Sequence, residues 1–315
     1  MKVAFFGASV TAQSGEGSYV THLKALLPQH EILQFGFGAC HFDDAGFHKL
    51  RDVLYASPAR VILEWNTTGQ TAFNLLKLGA VTRQIVESGA VPSFLILPRR
   101  DSIGQVPRVA EVQVREFCRR HQVPLLDLVA GFQPDGLLRD MVHTTPEGAA
   151  HYAQRIAGWL SEAPTGPPED CHLLQDIASV AHSVSVEITP ETRARFRVTR
   201  LDAPLEELVA EVVVGPNMVD LQIEVGGRAR RVSLVDRWCY YERRMFHRLW
   251  EGRKGEDPTE LEFLLSAAPE PPDYSVLEKP RGIFDGRPGL KILGLHFAGV
   301  DLRSVDVIRM PFPCG

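Results

Sequence analysis

Near its start the chain reads Val3-Ala4-Phe5-Phe6-Gly7-Ala8-Ser9, in which four apolar residues lead through a small-residue turn to a hydroxyl. A short uninterrupted apolar run is typical of a strand that is buried on both faces of a parallel sheet. In such a sheet each strand delivers the loop that follows it to the same edge, and this edge binds ligands. The stretch therefore predicts a buried first strand with Ser9 at the ligand-binding edge.

The first half of the chain continues this alternation of strand and helix. Short, mostly apolar segments at 3–6, 32–35, 61–63, 91–97 and 124–129 are predicted strands, and apolar residues at helical spacing lie between them and after the last. The last helix is predicted to begin with Thr145 as N-cap and Pro146 at its first position. Its predicted buried stripe comprises Ala149, Tyr152, Ala153, Ile156 and Leu160. We expect a three-layer α/β domain over residues 1–162, with a five-stranded parallel sheet in the flavodoxin-like order.

Chemically active residues follow the predicted strands. A serine hydroxyl becomes an effective nucleophile when a neutral imidazole takes its proton during attack, and a carboxylate at the other ring nitrogen holds the productive tautomer. Asp140 and His143 lie three residues apart and can share one turn, and the topology brings the remote Ser9 to the same edge. The loops at this edge contain Ser9, Gly38, Asn66, Arg99, Arg100, Asp140 and His143.

Four segments resemble the sequence blocks of the SGNH, or GDSL-type, hydrolases. They are Phe6-Gly7-Ala8-Ser9-Val10-Thr11, Gly36-Phe37-Gly38, Glu64-Trp65-Asn66 and Asp140-Met141-Val142-His143-Thr144-Thr145-Pro146-Glu147-Gly148. The resemblance covers the first half of the chain. It implies Ser9 as nucleophile, His143 as general base and acid, and Asp140 as the orienting carboxylate. It also implies an oxyanion hole formed by the backbone N–H groups of Ser9 and Gly38 and the side-chain amide of Asn66.

The sequence departs from the family pattern at three positions. Ala8 and Thr67 each stand where the family has an aspartate, and Glu64 stands where it has a glycine. A negative charge at Glu64 would oppose an alkoxide developing in the oxyanion hole, unless the side chain faces an arginine or a substrate hydroxyl. These departures keep open a non-catalytic protein built on a hydrolase scaffold.

Three charged residues at this edge are candidates for substrate binding. They are Glu64, Arg99 and Arg100. Paired guanidinium groups can hold an anionic substrate or a cofactor phosphate. The two arginines can equally pair with Asp101 or with Glu64 at the rim of the site.

Composition disfavours several classes of protein. The formal net charge of −5 provides no electrostatic footprint for nucleic acid, and no apolar run is long enough to predict a membrane span. We expect no secretory leader, because the first strand is predicted to begin at Val3. Five widely spaced cysteines without a CxxC pair indicate reduced thiols. Residues of metal-ligand type at His41, Asp43, Asp44 and His48 are more typical of a solvated loop. We expect a cytoplasmic protein without a bound metal.

The second half of the chain has a different texture. A Pro-rich stretch at 163–171 predicts a linker, and strand-like runs separated by turns follow over 172–315, the first of them at 184–188. Gly226-Gly227 is a hairpin signal. We expect a mainly β accessory domain of sandwich or jelly-roll type. The aromatic and arginine residues between Arg237 and Trp250 are interpreted as packing residues, with a glycan-stacking platform as the alternative.

Three functions remain open at this point. The leading hypothesis is a serine esterase that acts through an acyl-serine intermediate and removes an O-acyl group, such as acetyl, from a carbohydrate-like substrate. It needs no cofactor. The first alternative is an O-acyltransferase that uses a coenzyme A thioester as donor and modifies a polysaccharide or a sugar intermediate. The second is a non-catalytic glycan-binding protein. The expected partner is a small-molecule or glycan ester substrate. The sequence does not indicate which oligomeric state the protein adopts.

Overall fold

The computed structural model describes residues 1–164, 166, 182–184, 192–200, 205–238, 241–252, 260–278, 289–299 and 302–311. The chain divides into two units, Met1–Ile177 and Ala178–Gly315. The predicted linker at 163–171 lies mostly outside the described residues. Within those residues, no helix is both long and apolar enough to cross a bilayer.

A parallel sheet forms the centre of the first unit, in the strand order β2-β1-β3-β4-β5. Neighbouring strands in this sheet are all parallel. The flavodoxin-like order predicted from the sequence is therefore confirmed. The strands are β1 (Lys2–Gly7), β2 (Glu31–Gly36), β3 (Arg60–Glu64), β4 (Val91–Ile96) and β5 (Leu125–Asp127).

Helices connect these strands. The α-helices are α1 (Ser9–Ala12), α2 (Tyr19–Leu26), α3 (Leu50–Tyr55), α4 (Leu75–Glu87), α5 (Val109–Arg120) and α6 (Pro146–Glu162), with a 3-10 turn at Gly15–Gly17 and a π-helical turn at Phe42–Gly46. The predicted stripe of α6 is buried along its whole length. Thr145 caps this helix by accepting a hydrogen bond from the N–H of Gly148, as predicted.

Gly148 is required by the path of the chain next to α6. A Cβ atom at this position would lie 1.9 Å from the carbonyl oxygen of Leu137. The close approach presses the loop before His143 against the first turn of α6. The same loop therefore takes its position from the helix that follows it.

The second unit is a sandwich of two antiparallel sheets, with the orders β10-β9-β12-β7-β14 and β11-β8-β13-β6. Alternate residues of β8 such as Leu208 and Val212 share one buried cluster with Phe196 of β7 and Phe263 of β12. The mainly β architecture is confirmed. The strands are β6 (His182–Val184), β7 (Thr192–Arg200), β8 (Leu205–Val214), β9 (Leu221–Val225), β10 (Arg228–Val232), β11 (Arg243–Glu251), β12 (Glu260–Ala267), β13 (Ile292–Gly299) and β14 (Leu302–Pro311).

Details of the sandwich agree with the sequence at one turn and differ at one strand. Gly226 and Gly227 join β9 to β10 with φ values of 54° and 74°, as expected of a two-residue hairpin turn that needs positive φ at both positions. Strand β11 was not predicted, because the segment Arg243–Glu251 was interpreted only through its aromatic and arginine side chains. Phe246 is buried, and Trp250 packs against the sandwich core. A further predicted strand at 184–188 falls mostly outside the described residues.

Candidate active site

The strand register places three predicted site residues at one edge of the sheet. Gly7 at the end of β1 pairs with Gly36 of β2 and with Glu64 of β3. Two residues beyond these paired positions come Ser9, Gly38 and Asn66. Because the three strands are parallel and in register, their following loops begin at the same level.

Ser9, His143 and Asp140 form one hydrogen-bonded chain at this edge. The Nε2 atom of His143 lies 3.0 Å from Oγ of Ser9. On the other side of the ring, Nδ1 lies 2.9 Å and 3.1 Å from the two carboxylate oxygens of Asp140. A carboxylate at Nδ1 favours the tautomer that carries its proton there, which leaves Nε2 free to accept the serine proton.

The Asp140 carboxylate also organises its own turn. Its Oδ1 atom accepts hydrogen bonds from the backbone N–H groups of His143, at 2.8 Å, and Val142, at 3.0 Å. Partial burial alone would raise the pKa of Asp140, but these two bonds and the contact with the His143 ring outweigh it, so the pKa lies below its usual 3.8. Asp140 is therefore ionised at neutral pH beside the imidazole.

Two further residues hold the loop that carries His143. The hydroxyl of Thr144 donates to the carbonyl oxygen of Gly17 at 2.7 Å, which ties the loop to the segment after α1. The guanidinium of Arg100 donates to the carbonyl oxygens of Leu138, at 2.7 Å, and Asp140, at 3.3 Å. Arg100 is exposed, and these bonds use only part of its guanidinium, so its interpretation as a substrate ligand stays a prediction. Thr144 was not singled out in the sequence, although it lies inside the last of the four segments that resemble the hydrolase blocks.

The amide of Asn66 is fixed by a reciprocal pair of hydrogen bonds. Its Nδ2 donates to the carbonyl oxygen of Leu97 at 2.9 Å, and its Oδ1 accepts from the Leu97 N–H at 3.2 Å. A side-chain amide carries two N–H hydrogens, so one remains for a ligand. The guanidinium of Arg108 donates to the carbonyl oxygen of Asn66 at 2.8 Å. No pattern in the sequence pointed to Arg108.

The other two predicted oxyanion donors are backbone N–H groups. Ser9 begins α1, so its N–H has no partner within the helix. Gly38 lies exposed after β2, and open space surrounds the position that a Cβ would take. Within the described part of the chain, neither N–H donates to another backbone group. Both remain available to an oxyanion at this edge.

Glu64 lies in the interior and not at the surface of the site. It is 0% exposed, and its carboxylate accepts hydrogen bonds from the hydroxyls of Thr11, at 2.9 Å, and Thr67, at 2.7 Å. The interpretation of Glu64 as a substrate-binding residue, or as the partner of an arginine, is therefore corrected. Burial raises the pKa of Glu64 to about 7, and the hydrogen bonds that it accepts limit this rise.

Arg99 pairs with Asp101, which is one of the alternatives that the sequence left open. Its guanidinium binds both carboxylate oxygens of Asp101, at 2.8 Å and 3.0 Å. It also donates to the carbonyl oxygens of Thr67 and Thr68 at 2.7 Å and 3.1 Å. Because the side chain is only 12% exposed, Arg99 supports the loop after β3 instead of reaching into solvent.

Residues of metal-ligand type do not assemble into a site in the described ranges. The carboxylate of Asp43 accepts hydrogen bonds from the N–H of Asn74. No group of three or more His, Cys, Asp or Glu side chains there is arranged to hold a metal ion. Of the cysteines in the described residues, Cys40 and Cys118 are buried and form no disulfide, and the other three lie outside these ranges.

Comparisons with known proteins find likeness at the level of structure. No family model and no curated protein matches the sequence. A two-domain esterase (CEX) active on acetylated mannans is similar with a TM-score of 0.67 and 13% identity, over 96% of this chain and 92% of that chain. This likeness shows a shared fold, and it agrees with the resemblance drawn from the sequence.

Two smaller structures match about half of the chain. An acetyl xylan esterase, AlAXEase, is 21% identical with a TM-score of 0.43, over 50% of this chain and 98% of that chain. The psychrotrophic esterase EstA from Pseudoalteromonas sp. is 14% identical with a TM-score of 0.41, over 51% of this chain and 97% of that chain.

Proposed function

We propose that the protein is a serine esterase that removes an O-acetyl group from a carbohydrate through an acetyl-serine intermediate. The hydrogen-bonded chain from Ser9 through His143 to Asp140 is the observation that carries this proposal. A serine with a purely structural role needs no imidazole at its hydroxyl. A histidine with a purely structural role needs no serine hydroxyl at one ring nitrogen and carboxylate at the other. The full arrangement is what nucleophilic acyl transfer requires.

Acylation begins with attack by Oγ of Ser9 on the ester carbonyl carbon. Nε2 of His143 takes the hydroxyl proton as the new C–O bond forms, and Asp140 stabilises the resulting imidazolium. The N–H groups of Ser9 and Gly38 and the free N–H of Asn66 then bind the oxyanion. When the tetrahedral intermediate collapses, His143 returns its proton to the departing alcohol oxygen, and acetyl-Ser9 remains.

Deacylation repeats the same chemistry with water. His143 removes a proton from a water molecule as it attacks acetyl-Ser9, and the oxyanion donors bind the second tetrahedral intermediate. The proton then passes from His143 to Oγ of Ser9 as acetic acid leaves. The residues thus return to their starting protonation states, and no other co-reactant is consumed.

The substrate class is inferred by analogy. The mannan-active esterase with the shared fold acts on an acetylated polysaccharide, so acetylated mannan is the first substrate to test. The coenzyme A alternative rested in part on the paired arginines, and Arg99 and part of the Arg100 guanidinium donate to protein acceptors. Water is therefore the acceptor that we propose.

The test measures acetate released from acetylated mannan, acetylated xylan and an aryl acetate by the full chain. Ser9→Ala should abolish all three activities. Ser161→Ala removes a hydroxyl that contacts only the carbonyl oxygen of Gly158, so it provides a matched control that should keep them. Release that is unchanged in Ser9→Ala would refute the proposal. Transfer of acetyl from acetyl coenzyme A to a mannan oligosaccharide, without release of acetate, would favour the transferase.

A further inference from the structure

A buried carboxylate lies directly behind the proposed catalytic edge and takes no part in the proposed chemistry. Glu64 ends β3, and no solvent reaches its side chain. A carboxylate is seldom buried in this way unless it is paired or fully hydrogen-bonded. The hydrogen-bond partners of Glu64 therefore indicate which parts of the structure it holds in place.

These partners come from both sides of the site. Thr11 lies in α1, two residues after Ser9, and donates to Oε2 at 2.9 Å. Thr67 follows Asn66 directly and donates to Oε1 at 2.7 Å. One oxygen thus holds the helix that begins with the nucleophile, and the other holds the loop that carries the oxyanion amide.

Backbone N–H groups of both elements also interact with Glu64. The N–H groups of Thr67 and Ala8 also stabilise the ionised form of Glu64. Ala8 immediately precedes Ser9, and its N–H lies 3.0 Å from the main-chain oxygen of Glu64 as well. The contacts therefore come from the immediate neighbours of Ser9 and Asn66 in the chain.

A second layer fixes the direction of the Thr11 hydroxyl. The Thr11 oxygen lies 2.8 Å from the hydroxyl of Tyr19 in α2, and Tyr19 is fully buried. A network in which every member is satisfied holds its groups more rigidly than separate pairs do. The chain from Tyr19 through Thr11 to Glu64 thus extends from α2 to β3.

We propose that Glu64 is a positioning residue that sets the placement of Ser9 relative to Asn66 by holding α1 and the loop after β3 on its two carboxylate oxygens. The proposal rests on the proposed function, since it assigns Glu64 a role in that reaction. Glu64 contacts no substrate, so it acts on the geometry of the transition state. Displacement of a reacting group by about 1 Å can cost roughly 100-fold in rate.

The experiment compares Thr67→Val, Thr11→Val and Glu64→Gln in the full chain. Thr82→Val is the matched control, because Thr82 is equally buried and its hydroxyl bonds only to the carbonyl oxygen of Leu78 within α4, at 2.9 Å. The readouts are the rate constant for acylation by an aryl acetate, the KM and the thermal midpoint. Thr→Val changes keep the shape of the side chain, so these variants should fold even if Glu64→Gln does not.

The three test variants should slow acylation about 10- to 100-fold with unchanged KM. Thr82→Val should acylate at the wild-type rate, whatever its effect on the thermal midpoint. The double variant Glu64→Gln/Thr67→Val should be slowed by less than the product of the two single effects, because both changes remove hydrogen bonds of the same carboxylate.

Three results would overturn the proposal, and they are distinguishable. Turnover that depends on Ser9 but is unchanged in Thr67→Val and Thr11→Val would refute the positioning role and leave the esterase standing. An equal loss of acylation rate in Thr82→Val would also refute it, since the effect would then be general destabilisation. Turnover that persists in Ser9→Ala would instead refute the proposed function and this inference together.

Discussion

The Nε2 atom of His143 lies 3.0 Å from Oγ of Ser9, although 134 residues separate the two in the chain. The contact depends on two loops that leave the same edge of a parallel sheet. One of them follows β1 directly, and the other is held by Thr144, Arg100 and the first turn of α6. The proposed chemistry therefore depends on main-chain anchors as much as on the three reacting side chains.

Asp140→Asn should lower kcat for an aryl acetate by roughly 10³-fold. This loss is smaller than the roughly 10⁴-fold loss typical of a buried aspartate in the same role, because the Asp140 side chain is 49% exposed. The amide keeps the shape of the turn but no longer stabilises the imidazolium. Steady-state kinetics check this result. Asp135→Asn, on an exposed position of the same loop, should remain fully active, and equal activity of both variants would argue against the role of Asp140.

Arg100→Ala should reduce kcat about 10-fold and lower the free energy of unfolding by about 1–3 kcal/mol, since it removes charge-assisted hydrogen bonds to the Asp140 loop. KM should not change, because the bonds that are lost hold the main chain of the loop. A raised KM with normal kcat would instead support the substrate-binding interpretation. Arg83→Ala, which removes a partly exposed helix ion pair with Glu87, should have little effect on either quantity.

Glu64 should make the stability of the protein depend on pH. Burial raises its pKa from 4.5 to about 7, so between these values the folded protein binds more protons than the unfolded chain. The free energy of unfolding therefore falls as the pH rises through this window, by about 3 kcal/mol for this group. Burial, and to a smaller extent the charge of Glu64, raises the pKa values of Tyr19 and Tyr152, so both stay neutral throughout.

Glu64→Gln cannot titrate, so its stability relative to wild type should increase between about pH 5 and about pH 8. Urea or thermal unfolding at the two pH values measures this difference. Glu162→Gln, at an exposed position of α6, serves as the control and should show no such trend. A stability difference for Glu64→Gln that is the same at both pH values would contradict this account.

Two glycines of α6 should respond in opposite directions to alanine. Gly148→Ala places a Cβ 1.9 Å from the Leu137 carbonyl oxygen, and we expect a loss of about 3 kcal/mol or more, with lower activity because the His143 loop must shift. Gly158→Ala meets no atom within 4 Å and should stabilise the helix by about 0.5–1 kcal/mol. Thermal unfolding of the two variants measures both changes in stability. Equal unfolding midpoints would count against the described packing.

Much of the first unit could be predicted because its signals are local. The apolar runs that form β1 to β5 and the stripe of α6 are periodic in the sequence, and the parallel order follows from the alternation of strands and helices. Ser9, His143 and Asp140 could be assigned because topology sends their loops to one edge. The support around them could not, since Arg100 and Arg108 bind main-chain carbonyls whose positions no side-chain pattern encodes.

Glu64 and β11 show two other limits. From the sequence, Glu64 was placed at the rim because its neighbours in the chain belong to the site, but the alternation along β3 turns its side chain toward Thr11 and Thr67 instead. In β11 the arginines obscured the strand pattern. Arg248 pairs with Glu207 and Arg244 with Glu211 on β8, so their charges are compensated by a partner strand that precedes them by more than 30 residues.

Covalent labelling with an alkyl fluorophosphonate tests the central claim most directly, because this reagent forms a stable bond with an activated serine. Intact-mass analysis of the full chain, followed by peptide mapping, should find one phosphonyl group, located on Ser9, with esterase activity lost in proportion to labelling. Ser9→Ala should remain unlabelled, and His143→Ala should react far more slowly. An active protein that stays unlabelled at Ser9, or that loses its activity through a label on another residue, would contradict the account.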